Sequence, residues 1–125
     1  FICPPSPSQW AGVAALEPES IAIYEERRGE FDLRRRLLVP ALRELGFGVP
    51  YEPDGAFYVY ADVSAFTDDS WQFAQDLLAA TGIAVTPGRD FGHHGAAAHI
   101  RLSYTAPRDD LERAMERMAA FLHTR

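Results

Sequence analysis

The hydrophobic pattern of this chain first changes its period close to Gly46. Between residues 18 and 45, apolar side chains recur at intervals of three, four and seven, which predicts one long helix. Beyond Gly46, short runs rich in β-branched and aromatic residues alternate with helical patterns. We therefore expect an α/β (α+β) fold, in which a long N-terminal connecting helix precedes a small mixed sheet of about four strands covered by helices.

The second half of the chain contains the strands. The predicted elements are strands at 47–51, 56–62, 83–86 and 99–104 and helices at about 68–81 and 107–123. The turn formers in "EPDG" separate the first two strands, so a hairpin is expected there. Asp68, Asp69 or Ser70 can cap the first of these helices, and Gly82 can end it.

The start of the chain is predicted to be a connector. The prolines of "CPPSPS" make it stiff and extended, and a short helix is expected to follow through about Glu17. Pro40 lies inside the predicted long helix, where it removes one backbone hydrogen bond and should cause a kink or a break. Because the chain begins with Phe1 and not with methionine, we expect it to be part of a longer protein.

Length and charge argue against several classes of function. The chain has 125 residues, enough for one core, and its formal net charge is -6, which disfavours nucleic acid and acidic membrane surfaces as partners. No apolar run approaches the roughly 20 residues of a membrane span, and the N-terminus lacks the pattern of a signal peptide. A cytoplasmic location is therefore expected. Cys3, the only cysteine, is interpreted as structurally idle.

Arg101 stands in the middle of the strand "HIRLSY". Alternation along the strand places Arg101 on one face with His99 and Ser103, opposite the apolar residues of the core. From periodicity alone, a structural salt bridge or an edge-facing arginine is the favoured role for Arg101. The alternative is a carboxylate clamp, because a planar guanidinium can bind a carboxylate through two parallel hydrogen bonds.

Other candidate sites give weaker signals. The loop "TPGRDFGHHG" lacks the phosphate-loop motif and precedes a strand, so it is expected to face a ligand without cradling a phosphate. His93 and His94 have no partner at metal-ligand spacing, and no metal site is predicted. The aromatic side chains of "GAFYVY" are expected to pack in a small core. All twelve basic residues are arginines, so this chain cannot supply a Schiff-base lysine.

Four stretches, in their order and spacing, resemble the C-terminal small domain of a class I, fold-type I pyridoxal-phosphate aminotransferase of the aspartate aminotransferase-like kind. They are "CPPSPSQWAGVAAL", "PDGAFYVYADVS", "GIAVTPGRDFG" and "HIRLSYTAPRDDLERAMERM". The resemblance covers nearly the whole chain. It implies that residues 1–17 are a connector and short helix coming from a large domain, and that residues 18–125 form the small domain.

The resemblance also implies roles for particular residues. It matches Arg101 to the arginine that binds the α-carboxylate of the amino-acid substrate, and it places Phe91 in the loop that lines the substrate pocket. Arg89 is a further candidate for a carboxylate contact. Arg101 is then expected to be exposed in this chain and to lack a strong acidic partner.

The rest of the machinery is expected in the absent large domain of the same polypeptide. That domain would hold the lysine and the other groups that bind pyridoxal 5'-phosphate, so this chain is expected to contain no catalytic or cofactor-binding residue and to be inactive alone. The full-length protein is expected to be a homodimer that transaminates an amino acid and a 2-oxo acid. The alternative is a free-standing α+β module that binds a small carboxylate or a protein partner without catalysis.

Overall fold

Four α-helices and three strands account for most of residues 3–124, which the computed structural model describes. They are α1 Ser6–Ala15, α2 Pro18–Glu44, β1 Tyr58–Asp62, α3 Ser70–Thr81, β2 Thr86–Pro87, β3 His99–Ser103 and α4 Arg108–His123, with 3-10 turns at Gly88–Asp90 and Ala96–Ala98. The predicted α/β class is confirmed. Phe1, Ile2 and Arg125, at the ends of the predicted connector and small domain, lie outside the described residues.

The chain divides into two compact units, Phe1–Asp32 and Leu33–Arg125, and helix α2 contributes residues to both. In the first unit α1 buries none of its residues, and the side chain of Trp10 is 74% exposed. Within residues 3–124, no helix has both the length and the apolar character that a membrane span requires.

Helix α2 continues through Pro40, so the expected break does not occur. Pro40 itself is exposed, whereas Leu38, Val39 and Leu42 around it are buried. Burial of each of these side chains stabilises the fold by about 1.5 to 3 kcal/mol. Together they outweigh the roughly 3 kcal/mol that an interior proline costs a helix.

The sheet has three strands in the order β1-β3-β2, and both pairings are antiparallel, so the expected mixed sheet of about four strands is wrong. Of the predicted strand 47–51, only Gly48 pairs, through two backbone hydrogen bonds to Asp62 of 2.9 and 2.8 Å. The next hydrogen-bonded pair in that register would join Pro50 to Tyr60, and proline has no N–H to donate. The ladder therefore stops, and the expected hairpin does not form.

Burial alternates along the two long strands. On β3, Ile100 and Leu102 are buried and Arg101 between them is only half-buried, as the sequence predicted. On β1, Val59 and Ala61 are buried on the same side. Helix α3 packs with β3 and with α4. One face of the sheet therefore belongs to the core, and the opposite face, where Tyr58 and Tyr60 are exposed, is named the uncovered face.

Local signals fix the ends of helix α3. The Asp69 side chain accepts hydrogen bonds from the backbone N–H groups of Trp71 and Gln72 at 3.0 and 3.2 Å, and Gly82 ends the helix with a φ of 72°. Both features match the prediction. Leu78 is 49% exposed, because the helix turns only Phe73, Ala74, Leu77 and the small Ser70 inwards.

Loss of this N-cap should weaken the fold. Asp69→Ala leaves two N–H groups of α3 without their acceptor, and we expect a loss of about 1 kcal/mol in the free energy of unfolding. Urea unfolding followed by circular dichroism measures it. Asp68→Ala, one residue outside the cap, is the matched control, and equal midpoints for the two variants would contradict the capping role.

Helix α4 begins one residue later than predicted and buries Leu111 and Met118. Its first turn carries Asp109 and Asp110, where the helix dipole favours acidic groups. Arg113 lies four residues after Asp109 and three after Asp110, and it pairs with Asp110. Positions three apart on a helix are neighbours as close as positions four apart, so sequence spacing does not choose between the two.

Candidate functional site

The uncovered face of the sheet carries aromatic and polar side chains. Tyr58 and Tyr60 of β1 are 38% and 40% exposed and pair in register with Ser103 and Arg101 of β3. The expectation that these aromatic rings pack in the core is wrong, since Val59 between them faces the core and the tyrosines face the other way.

Arg101 occupies the centre of this face, between β1 and β2. Its Nη2 lies 3.5 Å from the Thr86 hydroxyl oxygen, at the outer limit of a hydrogen bond. Its Nε is buried and has no hydrogen-bond partner among residues 3–124. The same part of the chain places no carboxylate within ion-pair distance of Arg101. The salt bridge that periodicity favoured is therefore not found there.

Two aromatic rings lie beside the guanidinium. The Cζ atom of Arg101 is 4.7 Å from the centre of the Phe91 ring and 5.2 Å from that of Tyr58. Both distances allow a cation–π attraction. These rings explain why Arg101 is half-buried where exposure was expected. They attract the charge without accepting its N–H groups, so donors remain for a ligand.

Such a group is suited to an anion. A partly desolvated cation without a counter-charge is costly, and a ligand that brings its own negative charge offsets that cost. The flat fork of guanidinium donors matches the two oxygens of a carboxylate. The arrangement around Arg101 is therefore chemically suited to a carboxylate.

The loop of residues 88–98, which joins β2 to β3, brings Phe91 to this site. The loop begins at Gly88, whose backbone lies so close to its neighbours that a Cβ there would be 2.4 Å from the Ala96 carbonyl oxygen and 2.9 Å from that of His99. Phe91 follows the first 3-10 turn of the loop and is 49% exposed. The close backbone packing at Gly88 thus fixes where Phe91 emerges.

His99 and Tyr60 extend the site beyond the residues singled out from the sequence. Their rings are stacked, with centroids 4.9 Å apart and an interplanar angle of 8°. The Tyr60 ring also meets Phe91 edge-on, at 6.1 Å and 88°. Burial raises the pKa of the Tyr60 hydroxyl, so this group stays protonated and neutral at physiological pH. Strand alternation already placed His99 on the face of Arg101, whereas the face that Tyr60 occupies is decided by the tertiary packing.

Arg89 lies against another group. Its Cζ atom is 3.3 Å from the ring centre of Trp71, in the first turn of α3. A carboxylate contact by Arg89 stays a prediction. His93 and His94 are exposed on the 88–98 loop. Within the described ranges, no three His, Cys, Asp or Glu side chains are grouped closely enough to hold a metal ion.

Asp62, at the end of β1, carries an ionisable carboxyl group and lies opposite His99 in the strand register. Its Oδ1 accepts a hydrogen bond of 2.7 Å from the backbone N–H of Ser64. This bond holds the pKa of the Asp62 carboxyl below its ordinary value of 3.8, and the charge of His99 acts in the same direction. The ionised carboxylate is therefore favoured in the folded state.

The Asp62 carboxylate should stabilise the fold above the unfolded pKa, and this contribution should disappear as pH falls through the lower folded pKa. We expect the difference in unfolding free energy between the unsubstituted chain and Asp62→Asn to be constant above about pH 5 and to shrink below about pH 4. Urea unfolding at a series of pH values tests this. A difference that stays constant down to about pH 3 would exclude the role of Asp62.

Comparison with known proteins gives a consistent result. The family model for aminotransferase class I and II matches residues 1–118. The valine–pyruvate aminotransferase of Mycobacterium tuberculosis is 43% identical over 121 residues, which cover 97% of this chain and 31% of that enzyme. The aspartate/prephenate aminotransferase of Thermus thermophilus is 40% identical over 121 residues, covering 95% of this chain and 30% of that enzyme.

The fold matches as well. The crystal structure of an aminotransferase from Mycobacterium tuberculosis superposes with a TM-score of 0.92 at 42% identity, over 100% of this chain and 32% of the other. The chain therefore spans only about a third of the length of these relatives. Sequence and fold agree over almost all of its residues, and the chain belongs to the aminotransferase class I and II family.

Proposed function

We propose that this chain is the small domain of a pyridoxal-phosphate-dependent aminotransferase and that Arg101 binds the α-carboxylate of its substrates. The observation that carries this proposal is the half-buried guanidinium, whose Nε has no partner among residues 3–124. In this proposal, residues 1–17 are the connector from a large domain and residues 18–125 form the small domain.

Carboxylate recognition by one arginine suits a transamination. An amino acid and a 2-oxo acid differ at the reacting carbon, where an amino group replaces an oxo group, but both keep the carboxylate next to it. The same fork of donors can therefore hold both substrates at the same angle. Arg101 would orient the donor in one half-reaction and the acceptor in the other.

The aromatic neighbours strengthen this interaction. The rings of Phe91 and Tyr58 take the place of water beside the guanidinium, and charges attract one another more strongly where less water surrounds them. If a second domain closes over the uncovered face of the sheet, the carboxylate bound to Arg101 becomes desolvated as well. Substrate binding and domain closure would thus be coupled, as they are in enzymes with lids.

Enzymes of the aminotransferase class I and II family depend on pyridoxal phosphate. The cofactor, when bound, supplies the electron sink for the chemistry at the substrate's reacting carbon. Its covalent attachment needs a lysine, and this chain has none, so the residues present do not fit as its anchor. We place the cofactor on the part of the protein outside this chain and assign to this chain only the orientation of the substrate.

The whole protein, in this proposal, is a cytoplasmic homodimer of amino-acid metabolism. The relatives act, by their names, on different amino acids and keto acids, valine and pyruvate in one and aspartate and prephenate in another. The proposal therefore commits to the substrate class, a 2-amino acid with a 2-oxo acid. Exposed aromatic side chains such as those of Trp10, Tyr58 and Tyr60 would contact the large domain in this proposal.

An assay of the full-length protein tests the function. With pyridoxal phosphate, we expect it to convert a 2-oxo acid only when an amino-acid donor is present. The 125-residue chain should give no conversion, and amino acids should not raise its melting temperature, because it carries one wall of the site. A clear rise in the melting temperature of this chain would instead support the free-standing binding module.

A further inference from the structure

Tyr60 contacts the 88–98 loop at Gly88 and at Phe91. Its ring also stacks on His99, which forms a hydrogen bond with Gly95 of the same loop. We infer that Tyr60 is a positioning residue, which holds the ring of Phe91 against the Arg101 guanidinium. This inference rests on the proposed function of Arg101 and deepens it, because it names the residue that arranges the carboxylate site before a substrate arrives.

One contact of Tyr60 lies at Gly88, where the loop begins, and another lies at His99, directly after the loop. The Tyr60 hydroxyl oxygen lies so close to the backbone of Gly88 that a Cβ on that glycine would be 2.7 Å from it. At the other end, Tyr60 stacks on His99 at 4.9 Å, and His99 Nδ1 donates a 2.8 Å hydrogen bond to the Gly95 carbonyl oxygen. The tyrosine ring is therefore held between the start of the loop and the residue that binds its end.

The remaining contact reaches the site. Tyr60 meets Phe91 edge-on at 6.1 Å, and Phe91 in turn lies 4.7 Å from the Cζ atom of Arg101. The aromatic neighbours that the structure gives the guanidinium are Phe91 and Tyr58. Tyr60 lies opposite Arg101 in the strand register, but its ring is not one of the two that lie over the guanidinium, so the ring acts on Arg101 through Phe91.

Phe91 needs such support. Its ring is 49% exposed on a loop outside the sheet, where a side chain samples several rotamers unless a neighbour restricts it. If the Phe91 ring is already restricted in the folded protein, the entropy cost of ordering it arises on folding and not on substrate binding. The edge-on contact with Tyr60 supplies this restriction, and the stack on His99 keeps the Tyr60 ring itself in place.

A double-mutant cycle in the full-length enzyme tests this role. Tyr60→Ala and Phe91→Ala should each lower kcat/KM for the amino donor about tenfold. If Tyr60 acts through Phe91, adding Tyr60→Ala to Phe91→Ala should change kcat/KM by less than about twofold. Tyr60→Phe loses only the hydroxyl oxygen beside Gly88 and should keep nearly full activity, since the ring makes the contacts with Phe91 and His99. Tyr51→Ala, at a tyrosine that is 86% exposed, is the control and should have no effect.

The other outcomes are decisive too. Losses that add in the double variant, or a Tyr60→Phe variant as impaired as Tyr60→Ala, would overturn the positioning role. Melting temperatures identify a variant that does not fold, and Tyr60→Leu, which keeps apolar volume without a flat ring, then takes the place of Tyr60→Ala. Arg101→Ala is assayed alongside: normal activity there overturns the proposed function and this inference together, whereas a loss there with an additive cycle overturns this inference alone.

Discussion

Replacement of Arg101 by alanine in the full-length enzyme should reduce kcat/KM for the amino donor by an amount equivalent to about 2 to 5 kcal/mol. The substrate carboxylate would then lie beside Phe91 and Tyr58 without a counter-charge, in a place where these rings limit its hydration. Arg101→Lys should recover only part of the loss, because an ammonium group is a point charge without the flat fork of donors.

Steady-state kinetics with saturating 2-oxo acid measure this effect. Arg113→Ala is a matched control, since Arg113 is an arginine on the surface of α4 whose ion pair with Asp110 is exposed. We expect it to change kcat/KM by less than about 0.5 kcal/mol. Similar values for Arg101→Ala and Arg113→Ala would remove Arg101 from the substrate site.

Gly88→Ala should destabilise the fold by about 3 kcal/mol. The added Cβ would be 2.4 Å from the Ala96 carbonyl oxygen, 2.7 Å from the Tyr60 hydroxyl oxygen and 2.9 Å from the His99 carbonyl oxygen. Two of these three atoms belong to the backbone, so the clash cannot be relieved by a side-chain rotation. The loop must move, and Phe91 must move with it.

Urea unfolding of the chain measures the loss of stability, and kinetics of the full-length variant measure the displacement of Phe91. Gly55→Ala is the matched control, because a Cβ at Gly55 would have no neighbour within 4 Å. We expect its unfolding midpoint to stay near that of the unsubstituted chain. A Gly88→Ala midpoint equal to that of Gly55→Ala would show that the loop is not closely packed at this point.

Local sequence signals were sufficient for part of this fold. The alternation in "HIRLSY" predicted that Arg101 lies opposite the core residues, and the burial of Ile100 and Leu102 confirms it. Asp69 and Gly82 marked the ends of α3, because capping depends on neighbours within a few residues. Such features need no knowledge of distant contacts.

Features that depend on distant contacts were missed. The predicted strand at 47–51 is reduced to one paired residue, Gly48. Because Gly48 pairs with Asp62, the next hydrogen-bonded position falls on Pro50, and this register is set by the tertiary fold. The break at Pro40 did not occur because tertiary packing outweighed the cost of the proline.

The surroundings of Arg101 and Tyr60 also depend on contacts between residues that are distant in the sequence. Both faces of the β1 sequence "YVYAD" are apolar enough for a core, so only the packing of the helices decides that Tyr60 faces away from it. Whether Arg101 forms a salt bridge is likewise decided by the side chains that the folded sheet places beside it.

Carboxylate recognition by Arg101 is tested most directly with two competitive inhibitors of the full-length enzyme. One is an α-methyl amino acid, which lacks the α-hydrogen needed for transamination, and the other is its neutral carboxamide. We expect Arg101→Ala to weaken inhibition by the acid by about 2 to 5 kcal/mol and to leave inhibition by the carboxamide nearly unchanged. Equal weakening of both inhibitors would contradict the assignment of Arg101 as the carboxylate-binding residue.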